Sequence, residues 1–169
     1  MARGELDEAL RIRQQDQIPV YTKLGDVRSL AVTQGKIADI LMARGDLDEA
    51  LRIRQQEEIP VYTKLGDVRS LAVAQTKIAD ILMARGDLDG AIRRYQNEVL
   101  PALGKLQARD QIAQAQAKLA RMRMQRDQAG DREAAVKLLR EAYAAAKQMR
   151  LPLADQLEKQ HPFVRDPHS

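Results

Sequence analysis

The chain contains no cysteine, no tryptophan, one phenylalanine and only three serines, Ser29, Ser70 and Ser169. Without cysteine there is no disulfide framework, thiolate nucleophile or cysteine metal site, and a reducing, cytoplasmic compartment is expected. The two histidines, His161 and His168, both lie in a proline-flanked C-terminal stretch. No Ser-His-Asp arrangement, glycine-rich phosphate loop or metal-ligand spacing can be assembled from that inventory, so neither enzymatic activity nor a cofactor or metal is expected. Aromatics make up 3% of the residues, which leaves almost no stacking platform for single-stranded nucleic acid. Apolar runs are short as well. None approaches the roughly 18 residues needed to cross a bilayer, and the Met-Ala-Arg-Gly start lacks the apolar stretch of a secretory leader, so no membrane association is expected.

What the chain does have is repetition. Residues 1–41 recur almost letter for letter as residues 42–82, with five changes: Glu5/Asp46, Asp16/Glu57, Gln17/Glu58, Thr33/Ala74 and Gly35/Thr76. A third, weaker copy begins at Met83. A 41-residue unit cannot bury a hydrophobic face alone, so neighbouring copies must stack and share an elongated core. The 169 residues, 44% apolar and 31% charged, suffice for one such domain. It is expected to span residues 1–160, with units 1–41, 42–82 and 83–126, a cap at 127–160 and a flexible tail at 161–169.

Each unit reads as two helices. From Asp46 the early apolar residues Leu47, Ala50 and Leu51 recur at three and four. Asp46 stands at a helix start with Glu49 in the capping-box position. Gly66 can adopt the left-handed conformation that ends the helix, and Asp67 can begin the next. Carried along the chain, this pattern predicts helices near 5–23, 27–43, 46–64, 68–84, 87–105, 109–126 and 131–149, with a short helix at 153–159. Short connections place successive helices antiparallel. The repeated Asp-Leu-Asp-Glu carboxylates fall at helix starts, where capping and the helix dipole account for them. Pro19, Pro60 and Pro101 recur inside helices, where proline removes a hydrogen bond and costs about 3 kcal/mol or more if the helix stays straight. Each of these helices is therefore expected to bend or to take in an extra residue as a π-bulge.

The segment Ile37-Ala38, Leu41, Ala43-Arg44-Gly45-Asp46-Leu47-Asp48-Glu49-Ala50-Leu51 resembles the tetratricopeptide repeat. Ile37-Ala38, Ile78-Ala79 and Leu119-Ala120 stand where that family has a large residue followed by a small one, and Ala9, Ala50 and Ala91 stand at its small second-helix position. The unit is longer than the family's typical 34 residues, Gln34 and Gln75 hold its tryptophan position, and its helix-ending proline has moved inside the helix. Long units of this kind are similar to arrays in bacterial signalling proteins and in kinesin light chains. The resemblance implies an all-α fold, a right-handed α-α superhelix of antiparallel helix pairs. It also implies a protein-binding scaffold, here expected to be a segment of a larger bacterial repeat protein.

In that family the helix before the Gly-Asp turn lines a concave groove. The resemblance thus points to Arg28, Lys36 and Asp39, then Arg69, Thr76, Lys77 and Asp80, then Lys118 and Arg121, as partner-binding residues. A ladder of Lys36, Lys77 and Lys118 would suit an acidic or extended peptide; the alternative is a solvated helix face with local Lys-Asp pairs. The family's carboxylate clamp is missing, because Val32 and Val73 occupy one clamp position and Asp39 and Asp80 another. The first helix lacks the cover that Ile37 to Leu41 supplies to the next one, so Leu6, Ala9, Leu10 and Ile12 are expected to support self-association into a homo-oligomer. Residues 105–150 carry eleven basic and five acidic side chains within a sequence of pI about 9.5. Phosphate contact through Arg121, Arg123 and Arg126 is accordingly the competing possibility, nucleic-acid binding by the basic third unit.

Overall fold

The computed structural model describes residues 3–165; His168 and Ser169, with the last residues of the expected tail, lie outside them. Among the described residues the chain is all-α, with no strand. It divides into two compact units, Met1–Gly86 and Asp87–Ser169.

In the first unit, helix α1 (residues 3–24) has three consecutive segments: α-helical Arg3–Arg11, π-helical Ile12–Gln17 and α-helical Ile18–Leu24. Helix α2 is Val27–Arg44. Helix α3 (residues 47–65) repeats the three-part build as Leu47–Ile53, Arg54–Glu58 and Ile59–Leu65, and α4 is Val68–Ala84. In the second unit, α5 (residues 88–105) comprises Leu88–Arg94, Tyr95–Val99 and Leu100–Lys105. It is followed by α6 (Arg109–Arg126), α7 (Asp131–Gln148), α8 (Pro152–Gln160) and a 3-10 turn at Pro162–Val164. Every helix expected from the sequence is present with ends within two residues of the expected ones.

The recurrent prolines explain the π segments. The amide just before each proline bonds five residues back: Ile18 to the Arg13 carbonyl, Ile59 to Arg54 and Leu100 to Tyr95. The added residue widens the turn where the pyrrolidine ring would strike a carbonyl, and proline itself has no donor to leave unpaired. Of the two accommodations expected, the π-bulge is the one adopted.

Turn chemistry sets the hairpins. Gly25 and Gly66 hold φ of 66° and 64°, a left-handed region costly for other residues. Each starts a two-bond closure, as in Gly66 N–H to the Thr63 carbonyl (3.1 Å) and Asp67 N–H to the Tyr62 carbonyl (3.0 Å). Asp26 and Asp67 then accept from the Ser29 and Ser70 amides, both at 3.0 Å, and so cap α2 and α4. Asp46 differs from expectation: its side chain makes no cap bond and turns instead to Arg44 (3.3 Å), while Glu49 binds Arg52 (2.7 Å). Charge-assisted partners outcompete the expected capping box at this start.

Small residues let the helices approach. Ala38, Ala50 and Ala79 in the first unit, and Ala91 and Ala120 in the second, are fully buried at the positions the tetratricopeptide pattern assigns to small side chains. Around them, Ile37, Leu41, Ile53 and Ile81 form one core of the first unit, and Ala31, Tyr62 and Ala74 a second. The second unit's core gathers Leu139, Tyr143, Leu157 and Val164, with Phe163 packed against it. Burial of each large aliphatic is worth about 1.5–3 kcal/mol.

Candidate functional site

On α2, residues 28, 32, 36 and 39 recur at four, four and three, and on α4 residues 69, 73, 77 and 80 do the same, so each set lines one helix face. Most of these side chains face solvent. Two ion pairs tie the faces together: Arg28 reaches Asp67 at 2.6 Å and Lys77 reaches Asp39 at 3.2 Å. One pair joins the starts of α2 and α4 and the other joins points further along both, so the two helices run side by side in the same direction. Asp67 also caps α4, and the Ser70 amide, aided by the Ser70 hydroxyl and Arg28, holds its carboxyl down at about 2. Between these ties, Val32 is 39% and Val73 54% exposed, with Lys36 and Arg69 exposed beside them.

Beneath the face lies a charged network that the sequence reading missed. Arg54 is 2% and Glu58 5% exposed. The Arg54 guanidinium donates to Glu58 at 2.7 Å, to Asp39 at 2.6 Å and to the Gly35 carbonyl at 3.2 Å. Burial pushes the Glu58 carboxyl above its ordinary range, although Arg54 opposes the shift. Gly35 leaves the room for this arrangement, since a Cβ there would stand 2.6 Å from Glu58 Oε1. The signal was present in the differences among copies. Gly35 accompanies Arg54 and Glu58, whereas one period on the chain carries Thr76, Tyr95 and Val99. Tyr95 and Val99 are fully buried.

The first unit thus brings Arg28, Lys36, Asp39, Arg69 and Lys77 onto one face. Thr76 is half-buried and its hydroxyl bonds back to the Ala72 carbonyl at 2.9 Å, while Asp80 is half-buried. In the second unit, Lys118 and Arg121 are exposed on α6. Leu6, Ala9 and Leu10 are half-buried, Leu10 packing on the core around Ile37, and Ile12 is 38% exposed.

Two of the three arginines considered for phosphate contact are engaged elsewhere. Asp131, 1% exposed at the start of α7, accepts from Arg123 at 2.8 Å and from Arg126 at 2.6 and 2.8 Å, and also from the Gln128 amide at 3.1 Å. Arg126 reaches Asp89 as well, at 2.6 Å. These bonds, Arg126 foremost, hold the Asp131 carboxyl far below the ordinary carboxylate range. The cluster closes the α6–α7 turn of the second unit, and phosphate binding would have to break it.

Among the described residues no group of three His, Asp or Glu side chains is placed to hold a metal ion, and no helix is long and apolar enough to cross a membrane. No family model matches the chain, and no curated protein does. Among solved structures the chain is similar to the nearly identical TPR-like repeats of a kinesin light chain from Podosopora anserina, seen in two crystal structures, one of a point variant. The variant is 17% identical, with a TM-score of 0.45, over 96% of this chain and 93% of that one. The other is 16% identical, also with a TM-score of 0.45, over 99% and 97%. The fold assignment rests on this chain's own helix pairs and turns.

Proposed function

We propose that this chain is a non-enzymatic protein-interaction scaffold, working as a single repeat domain over residues 1–160 in a reducing cytoplasm. The α2–α4 face takes an extended, acidic segment of a partner protein. The observation that carries this reading is the pair of exposed valines, Val32 and Val73, set beside exposed Lys36 and Arg69 on two helices locked in parallel. An apolar side chain of the partner would rest on the valines and its carboxylates would meet Lys36 and Arg69. Lys77 and Arg28 contribute less, because Asp39 and Asp67 already hold them. Lys118 and Arg121 stand at the same repeat positions in the third copy's sequence, Arg121 being a cation where the earlier copies have Asp39 and Asp80.

The test is selection of linear peptides from a random display library on the full chain, followed by calorimetry. Selected peptides are expected to combine carboxylates with an apolar residue and to bind more weakly as salt rises. Val73→Asp should weaken binding about tenfold or more, equivalent to about 1.4 kcal/mol. Arg69→Glu should flatten the salt dependence. Peptides unaffected by both substitutions would refute the assignment of this face.

A further inference from the structure

Copies this alike raise a problem of pairing. Where helices of nearly equal sequence can exchange places, a chain can dock the wrong one, and such misassembly is a characteristic failure of repeat proteins. Five positions separate the first copy from the second. Two of them, Gly35/Thr76 and Gln17/Glu58, bear on a single contact: the space beside Gly35 is filled by the Glu58 carboxylate, whose Oε1 a Cβ there would approach to 2.6 Å. A third, Thr33/Ala74, is buried in both copies. At this contact α2 presents the open space of Gly35, the Gly35 carbonyl and Asp39, and α3 presents Glu58 and Arg54, which donates to that carbonyl at 3.2 Å and to Asp39 at 2.6 Å. One period on, the places of Gly35, Arg54 and Glu58 are held by Thr76, Tyr95 and Val99, and one period back those of Arg54 and Glu58 by Arg13 and Gln17.

We propose that this buried charged set identifies α2 and α3 to each other, and that it contributes to the correct pairing of near-identical helices rather than to stability. Each wrong pairing is penalised by a different member of the set. Were α5 to dock on α2 in place of α3, Asp39 would lose its guanidinium, and Val99 would leave unfilled the space that Glu58 occupies beside Gly35. Were α4 to cover α3 in place of α2, the Thr76 side chain would stand where Gly35 admits the Glu58 carboxylate, which would have to withdraw from Arg54 and remain buried without its partner. Were α1 to offer its stripe in place of α3, Gln17 would replace a carboxylate by an amide and leave the guanidinium one anion instead of two. Discrimination thus arises from what the wrong partner leaves unpaired or overlapping. Replacing a buried ion pair by apolar groups is often neutral or stabilising, so the charges here are assigned to register, the best-attested use of such groups.

Refolding separates pairing from stability. The full chain is unfolded in urea, returned to buffer at high protein concentration, and compared with the same protein never unfolded, by sedimentation and by amide exchange. The parent is expected to regain its starting state. The triple variant Gly35→Thr, Arg54→Tyr, Glu58→Val gives both copies the same set. It should be no less stable than the parent yet return with a mispaired fraction several times larger: dimers joined by exchanged helices, or molecules whose α3 and α4 amides exchange fast because α5 has taken their place on α2. The double variant Arg54→Met, Glu58→Leu keeps side chains close to the native length and should mispair as well, which guards against simple crowding by tyrosine. A folded variant that regains its starting state as completely as the parent overturns the proposal. So does loss of folding in both variants, which would make the charges a requirement of stability, and so does a parent that mispairs as often as they do. None of the substituted residues is among the exposed residues assigned to peptide binding, so the two proposals fail separately.

Discussion

Replacing Gly35 with threonine, the residue one period later, should destabilise the first unit even though threonine is the better helix former. The intrinsic gain is a few tenths of a kcal/mol, the difference between glycine and an ordinary residue in a helix interior. Against it, the new Cβ would stand 2.6 Å from Glu58 Oε1 and 3.0 Å from its carboxyl carbon, so the carboxylate must withdraw from Arg54. Stripping a buried ion of its partner costs about 3–5 kcal/mol, and because Arg54 keeps its bond to Asp39 the net loss is put at about 2–3 kcal/mol. In a unit of this size that corresponds to a melting temperature lower by roughly 10 °C or more. The triple variant Gly35→Thr, Arg54→Tyr, Glu58→Val installs the full set found at Thr76, Tyr95 and Val99. Exchanging a buried ion pair for well-packed apolar groups is often neutral or stabilising, so the triple variant should melt at or above the parent. Thermal unfolding followed by circular dichroism, with amide exchange on α2 and α3 to assign the transition, makes the measurement. A Gly35→Thr variant as stable as the parent, or a triple variant no better than that single change, would refute the reasoning.

Other expectations concern pH, the second unit and the exposed face. Asp67 holds its carboxyl at about 2 against an ordinary 3.8, so its contribution is full above the ordinary value and is lost as pH falls toward 2. Asp67→Asn should therefore flatten the acid limb of the stability curve measured in urea. Glu58 runs the other way: its folded pKa lies above the ordinary 4.5, so its contribution is present below the unfolded value and is lost as pH rises through the folded one. Glu58→Gln should remove that opposing slope. Asp131→Asn should leave one accepting oxygen, remove the charge that Arg123 and Arg126 share, set an NH2 donor against the donors that faced the other oxygen, and so lower the melting of the second unit, with amide exchange in α2 and α3 unchanged. Val73→Asp, on an exposed site, should leave stability within about 0.5 kcal/mol of the parent, as measured by urea unfolding.

Helix positions and turns were legible because their causes are local: three- and four-residue apolar spacing, glycine where φ is positive, aspartate before a free amide. The interior prolines were legible as a disturbance, since proline's missing donor and ring clash act within one helix. The Arg54–Glu58 network was harder. A charged pair on a helix normally reads as solvated, and only the glycine at 35, on another helix, reveals that the pair is buried. Asp46 misled for a related reason. The capping motif is a local rule, and the rival partners Arg44 and Arg52 are equally local but charged. The pairing within the basic stretch after Lys105 was not legible, because net charge does not record that Asp131 and Asp89 occupy two of its arginines.

The most direct test of the binding account is nuclear magnetic resonance of the isotope-labelled full chain titrated with a selected acidic, apolar-anchored peptide. The account predicts that the largest amide and methyl shifts fall at Val32, Lys36, Arg69 and Val73, and that Val73→Asp sharply reduces them at the same sub-saturating peptide concentration. Saturable binding whose shifts fall elsewhere, with those four residues unmoved, would contradict it.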